Sequence, residues 1–89
     1  MATMFARHQV ADYAAFRKGY ENAGPMQKAG GVLAEAVYQS ADDPTDITVT
    51  HEFATMDEAK AFAAKPELKQ AMEEAGVVGP PTIWFTNKV

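Results

Sequence analysis

Ile47-Thr48-Val49-Thr50-His51-Glu52-Phe53, followed after one residue by Thr55-Met56-Asp57-Glu58, is the stretch on which the fold turns. Ile47, Val49, His51 and Phe53 alternate with Thr48, Thr50 and Glu52, the period of two that sends one set of side chains to a packed face. Thr55 and Glu58 then match a capping box: the Thr hydroxyl accepts from the backbone N–H three residues on, and the Glu carboxylate reaches back. A half-buried strand therefore runs directly into a helix.

Towards the C-terminus, that helix has Met56, Ala59, Phe62 and Ala63 as its inward set. The pattern is interrupted at Lys65-Pro66 and resumes as Leu68, Met72 and Ala75. Proline lacks the backbone N–H and disfavours helix at the preceding residue, so two helical segments are expected to meet near Lys65. Gly76 occupies a left-handed C-cap position, and Gly79-Pro80-Pro81 enforces an extended stretch before a final strand over Thr82-Ile83-Trp84-Phe85-Thr86.

Towards the N-terminus, Ser40 to Asp46 is dense in turn formers and joins the Ile47 strand to another over Val32 to Gln39, which makes a hairpin. Gly30-Gly31 and Gly24-Pro25 bracket one further helical turn. Before them, Tyr13, Phe16 and Tyr20 recur at helical spacing behind Asp12, a good N-cap, and Thr3 to Val10 reads as the first strand. The order β-α-β-β-α-β predicts a ferredoxin-like α+β sandwich: a four-stranded antiparallel sheet with its helices on one face and the first and third strands as central neighbours.

At 89 residues the chain reads as a single domain over 1–89, with 47% hydrophobic and 22% charged residues in the ordinary globular range. Twelve acids against eight bases leave a net charge of −4, and the bases are scattered, so nucleic acid is not an expected partner. The absence of cysteine removes disulfides, thiolate catalysis and Cys-based metal sites. No run approaches the ~20 apolar residues of a membrane span and no secretory signal is visible, so the expected location is the cytoplasm, away from membranes.

The strands carry apolar residues on both parities: Phe5 against Met4, Ala6 and Val10, Val37 against Tyr38, and Trp84 against Ile83 and Phe85. Helices on one side cannot cover both faces, and exposed apolar surface costs about 25 cal/mol per Å². A second copy of the same sheet is the economical cover, so a homodimer is expected.

With the elements in this order, the chain resembles the dimeric α+β barrel superfamily, which includes the antibiotic biosynthesis monooxygenase-like domains. Val10-Ala11-Asp12-Tyr13 with Phe16-Arg17, Asp42-Asp43-Pro44, His51-Glu52-Phe53, Pro66-Glu67-Leu68, and Ala71-Met72 through Ala75-Gly76-Val77 carry the likeness. It implies a ligand pocket between sheet and helices and a packed barrel as dimer interface. Members include cofactor-free oxygenases, haem-degrading enzymes, polyketide cyclases and proteins without known activity. Haem degradation is the weaker implication, because the helices contain no histidine to serve as axial ligand.

His8 and His51 are the only histidines, each on the more apolar parity of its strand. If the central strands pair with an odd index sum, as 8 with 49 would, both imidazoles face the helices within diagonal reach; a slip of one residue separates them to opposite faces. Together they could shuttle a proton. The plainer alternative has one at a strand end in water and the other half-buried and hydrogen-bonded. No third ligand is spaced for a metal. The same register would set Arg7 beside Glu52 as an ion pair on the opposite face. Tyr13, Phe16, Tyr20 and Phe62 form an aromatic wall on the helices, joined from the sheet by Trp84 and Tyr38. Such residues are core or ligand contacts.

Two functions stay open on these residues. As an enzyme, the chain is a cofactor-independent oxygenase or cyclase for a small aromatic or polyketide-like compound. His8 is then the base, and His51, Tyr13, Tyr20, Phe16, Phe62 and Trp84 hold the substrate. As a non-catalytic binding or structural homodimer, it has the same space nearly filled by its aromatic side chains. A cavity of a few hundred Å³ beside His8 would separate the two.

Overall fold

The computed structural model describes residues 1–89. Its elements are β1 (Ala2–Val10), α1 (Tyr13–Asn22), α2 (Gly24–Ala29), β2 (Ala34–Gln39), β3 (Asp46–Phe53), α3 (Met56–Ala63), α4 (Pro66–Glu74) and β4 (Val77–Asn87). The strands form one antiparallel sheet in the order β2-β3-β1-β4, so β1 and β3 are the central pair. This is the expected ferredoxin-like α+β architecture.

Local chemistry sets the boundaries. Asp12 caps α1 by accepting from the Ala15 N–H at 3.0 Å, and the Thr55 hydroxyl caps α3 by accepting from the Glu58 N–H at 3.2 Å. Pro25 and Pro66 each sit in the first turn of a short helix, where a missing N–H costs nothing, which is why each helical layer is split in two. Gly76 takes φ +83° as α4 ends, a conformation that Cβ-bearing residues rarely adopt.

The final strand is longer than expected, running from Val77 through Gly79-Pro80-Pro81 to Asn87. It lies at the sheet edge beside β1 alone, so its prolines interrupt no second ladder. The β1–β4 register slips between Arg7 and Gln9, where Arg7 pairs with Thr82 and Gln9 with Val78, so His8 lies opposite an irregularity.

Two buried clusters fill the space under the helices. Ala2, Met4, Phe53, Ala59, Phe62 and Leu68 pack beneath α3, while Ala6, Val10, Phe16, Ile47, Val49 and Ala75 pack beneath α1. On the uncovered face Phe5 stacks on Trp84, with ring centroids 5.2 Å apart and planes inclined by 6°.

That register corrects several expectations. Trp84 pairs with Phe5 and Tyr38 with Thr48, which places both on the uncovered face and away from the helices, while Val37 packs on the helix side. Arg7 does not meet Glu52, which pairs with Thr3. Its guanidinium instead grips Asp46 in a fork, Nε to Oδ1 at 3.0 Å and the second nitrogen to Oδ2 at 2.6 Å. Asp46 stands two residues from Thr48, the residue opposite Arg7, and so on the same face and within reach of a long side chain.

Candidate active site

The β1–β3 pairs all have the odd index sum that turns His8 and His51 to the helix face, but His8 lies opposite Ile47 and His51 opposite Met4. Four residues of β1 separate the two positions, about 13 Å at the strand rise, so they are not diagonal neighbours. The condition for a shared face is met, but the diagonal reach that went with it is not. Both rings are buried, at 6% and 3% exposure, and the Nδ1 atom of each is buried without a hydrogen-bond partner. The plainer alternative fails in placing one ring in water and the other only half-buried, but holds in that His51 has a hydrogen-bond partner.

A row of rings connects the two. His8 packs on Phe16 with centroids 5.3 Å apart, Phe16 on Tyr20 at 5.7 Å, Tyr20 on His51 at 6.1 Å, and His51 on Phe62 at 5.5 Å. Phe16 and Tyr20 point the same way because they are one helical turn apart on α1. Phe62 is fully buried and also packs against Phe53, so it belongs to the core. Tyr13 is partly buried and packs against the second cluster.

Between the clusters lies an apolar cavity lined by His8, Phe16, Tyr20 and His51, with Gln27, Met4, Ala6, Val49, Leu68, Met26, Met72 and Ile83 among its other walls. Of the predicted site residues it gathers these four and leaves out Tyr13, Phe62 and Trp84. Its free volume is about 40 Å³. A single water needs roughly 10–15 Å³, and drug-sized ligand sites run to about 300–1,000 Å³. Gly19, Ala23, Met26 and Ala71 separate it from an outer groove of about 310 Å³ between α1 and α4, whose rim carries Glu67 and Glu74.

One polar group escaped the sequence reading. Glu35 of β2 pairs with His51 and shares the helix-facing parity of Val37, and its carboxylate accepts the Tyr20 hydroxyl at 2.5 Å. The same hydroxyl oxygen is 3.4 Å from His51 Nε2. A carboxylate two residues from an inward valine was the available signal. Gln27 on α2, buried at the cavity wall, was not anticipated either.

Burial governs the electrostatics. It pushes the His51 imidazole down to about 4, with Glu35 opposing, and lowers His8 as well, so both rings are neutral at physiological pH. The Tyr20 phenol is driven well above its ordinary value by burial and then by Glu35, against smaller effects of Gln27 and Arg17. The chemistry available is thus that of neutral imidazoles and a protonated phenol. No group of three or more His, Asp or Glu side chains is placed to hold a metal ion.

Fold and cavity define the class: a ferredoxin-like α+β sandwich with a small apolar chamber, walled by two histidines, between sheet and helices. An antibiotic biosynthesis monooxygenase-like protein from Bordetella bronchiseptica shares the fold with a TM-score of 0.84 at 20% identity, covering 99% of this chain and 96% of that one. One from Caulobacter crescentus has a TM-score of 0.77 at 23% identity, covering 99% and 89%. SnoaB from Streptomyces nogalater, a cofactor-independent oxygenase, has a TM-score of 0.79 at 12% identity, covering 99% and 92%. These likenesses are of fold. Neither a protein-family model nor a curated protein sequence matches the chain.

Proposed function

We propose that the protein is a cofactor-independent oxygenase or cyclase that takes a small aromatic or polyketide-like compound between sheet and helices and works as a homodimer in the cytoplasm. One observation carries the reading: two buried histidines line one apolar cavity, and each has an Nδ1 without a partner. An unsatisfied buried polar atom costs about 1–3 kcal/mol, a burden a purely structural core would shed. A neutral imidazole can take a proton from an acidic hydroxyl or C–H of such a substrate. In an oxygenation without cofactor the deprotonated substrate itself supplies the electrons to dioxygen. The likeness of fold to SnoaB supports the same reading.

The cavity at about 40 Å³ is too small for an aromatic ring, which favours the second reading, a binding or structural homodimer without turnover. Against that, Met26 lines both the cavity and the 310 Å³ groove outside, and methionine is the flexible side chain in the wall between them. The test is a titration of the labelled protein with dihydroxynaphthalenes and anthrones, followed by NMR of the histidine side chains and by oxygen uptake in chelator-treated buffer. The enzymatic reading expects the His8 and His51 resonances to move and oxygen uptake or ring closure to follow, with loss in His51→Gln. Resonances that stay still at millimolar ligand would leave the structural homodimer.

A further inference from the structure

The Tyr20 hydroxyl has one proton and two neighbours that could accept it. Glu35 Oε2 lies at 2.5 Å and His51 Nε2 at 3.4 Å. A carboxylate can only accept, and hydrogen bonds to an ionised acceptor are shorter and about twice as strong as neutral ones. The proton therefore goes to Glu35, and the phenol oxygen presents lone pairs to His51 Nε2. A lone pair facing another lone pair would be repulsive, so Nε2 must carry the hydrogen. A neutral imidazole has only one N–H, which leaves Nδ1 bare.

We infer that Glu35 is a positioning residue: acting through Tyr20, it holds His51 in the Nε2-protonated tautomer and leaves Nδ1 as an unpaired proton acceptor on a residue that lines the cavity. That atom is the buried, unpartnered nitrogen of a ring only 3% exposed, and burial keeps the ring neutral and able to accept. The inference deepens the proposed function in one respect, since only under that reading does the acceptor serve as a catalytic base. It also reverses the order of the two histidines: no side chain hydrogen-bonds to His8, whereas a carboxylate and a phenol stand behind His51. A carboxylate that orients an imidazole and leaves its far nitrogen free is the arrangement general-base catalysis requires, with a phenol interposed here.

The test is nitrogen NMR of the labelled protein near neutral pH, where pyrrole-type and pyridine-type imidazole nitrogens are well separated. The expected result is a pyrrole-type Nε2 and a pyridine-type Nδ1 for His51. In Glu35→Ala the Tyr20 hydroxyl loses its stronger acceptor and turns to His51, so the two nitrogens should exchange character while His8 stays unchanged. Adding Tyr20→Phe to that variant removes the donor and should abolish the enforced Nδ1-protonated form, leaving a mixture of the two tautomers. Glu35 is exposed, so its replacement leaves the core intact, which the dispersion of the amide spectrum checks. A wild-type proton on Nδ1, or a tautomer untouched by Glu35→Ala, would overturn the inference whatever the protein catalyses. Absence of turnover with a reversed tautomer would instead sink the proposed enzyme and leave the role of Glu35 standing.

Discussion

Gly19 and Ala75 meet where α1 passes α4, so closely that a Cβ built on Gly19 would stand 2.9 Å from both the Cα and the Cβ of Ala75. Real Cβ atoms do not come that close to backbone, so the approach of the two helices depends on glycine at 19. The same contact forms part of the cavity wall, because Gly19 and Ala75 both line it.

Gly19→Ala should therefore destabilise the protein although alanine is the better helix former. Overpacking costs about 1–3 kcal/mol against a propensity gain of about 1 kcal/mol, for a net loss near ~1 kcal/mol. In a domain this small that lowers Tm by about 4–8 °C, which a thermal melt resolves. A raised Tm would mean that α1 and α4 can part without cost.

The depressed titration of His51 makes stability fall with acid. In the folded chain the ring stays neutral down to about 4, whereas the unfolded chain binds its proton below the ordinary 6.5. The contribution is complete above pH 6.5, declines as pH falls towards 4, and changes no further below that; at about 1.4 kcal/mol per pH unit it amounts to roughly 3 kcal/mol. His8, also lowered, acts in the same direction. Urea unfolding from pH 7 to pH 4.5 should show this loss, and His51→Gln should flatten it. An identical pH profile in the variant would show that the imidazole titrates alike in both states.

The proposed second copy is testable on the uncovered sheet face. Phe5 and Trp84 stack there, Tyr38 is 58% exposed, and a groove of about 350 Å³ runs past Arg7 and Asp46. Light scattering at micromolar concentration should report about twice the 9.6 kDa chain mass. The pair of changes Phe5→Lys and Trp84→Lys should yield a folded monomer, since neither side chain enters the core beneath the helices. A wild-type monomer would refute the pairing.

Local rules made the elements legible. Period two in Ile47 to Phe53, the caps at Asp12 and Thr55, and prolines at 25 and 66 each act within a few residues, so the order of strands and helices followed without tertiary information. The turn from Ser40 to Asp46 was legible for the same reason, and Asp43 organises it by accepting both the Thr45 N–H and its hydroxyl. The site was half legible. Parity put His8 and His51 on one face only on condition of an odd index sum, which the register supplied, while helical spacing grouped Phe16 and Tyr20 on one stripe of α1.

Offsets between strands, by contrast, belong to the tertiary structure. An odd index sum specifies a face, but sums of 55 and 57 satisfy it equally, and the difference decides whether the histidines touch or stand about 13 Å apart. For the same reason Arg7 found Asp46 in place of Glu52, and Trp84 left the predicted wall for a stack on Phe5. Glu35 meets Tyr20 only because the β2–β3 register sets it opposite His51 beneath α1. Sequence by itself determined which side chains could face the helices, because alternation and caps are properties of neighbouring residues. Which of them meet was decided by packing, because hydrogen-bond register and the approach of α1 to α4 are set by contacts between residues far apart in the chain.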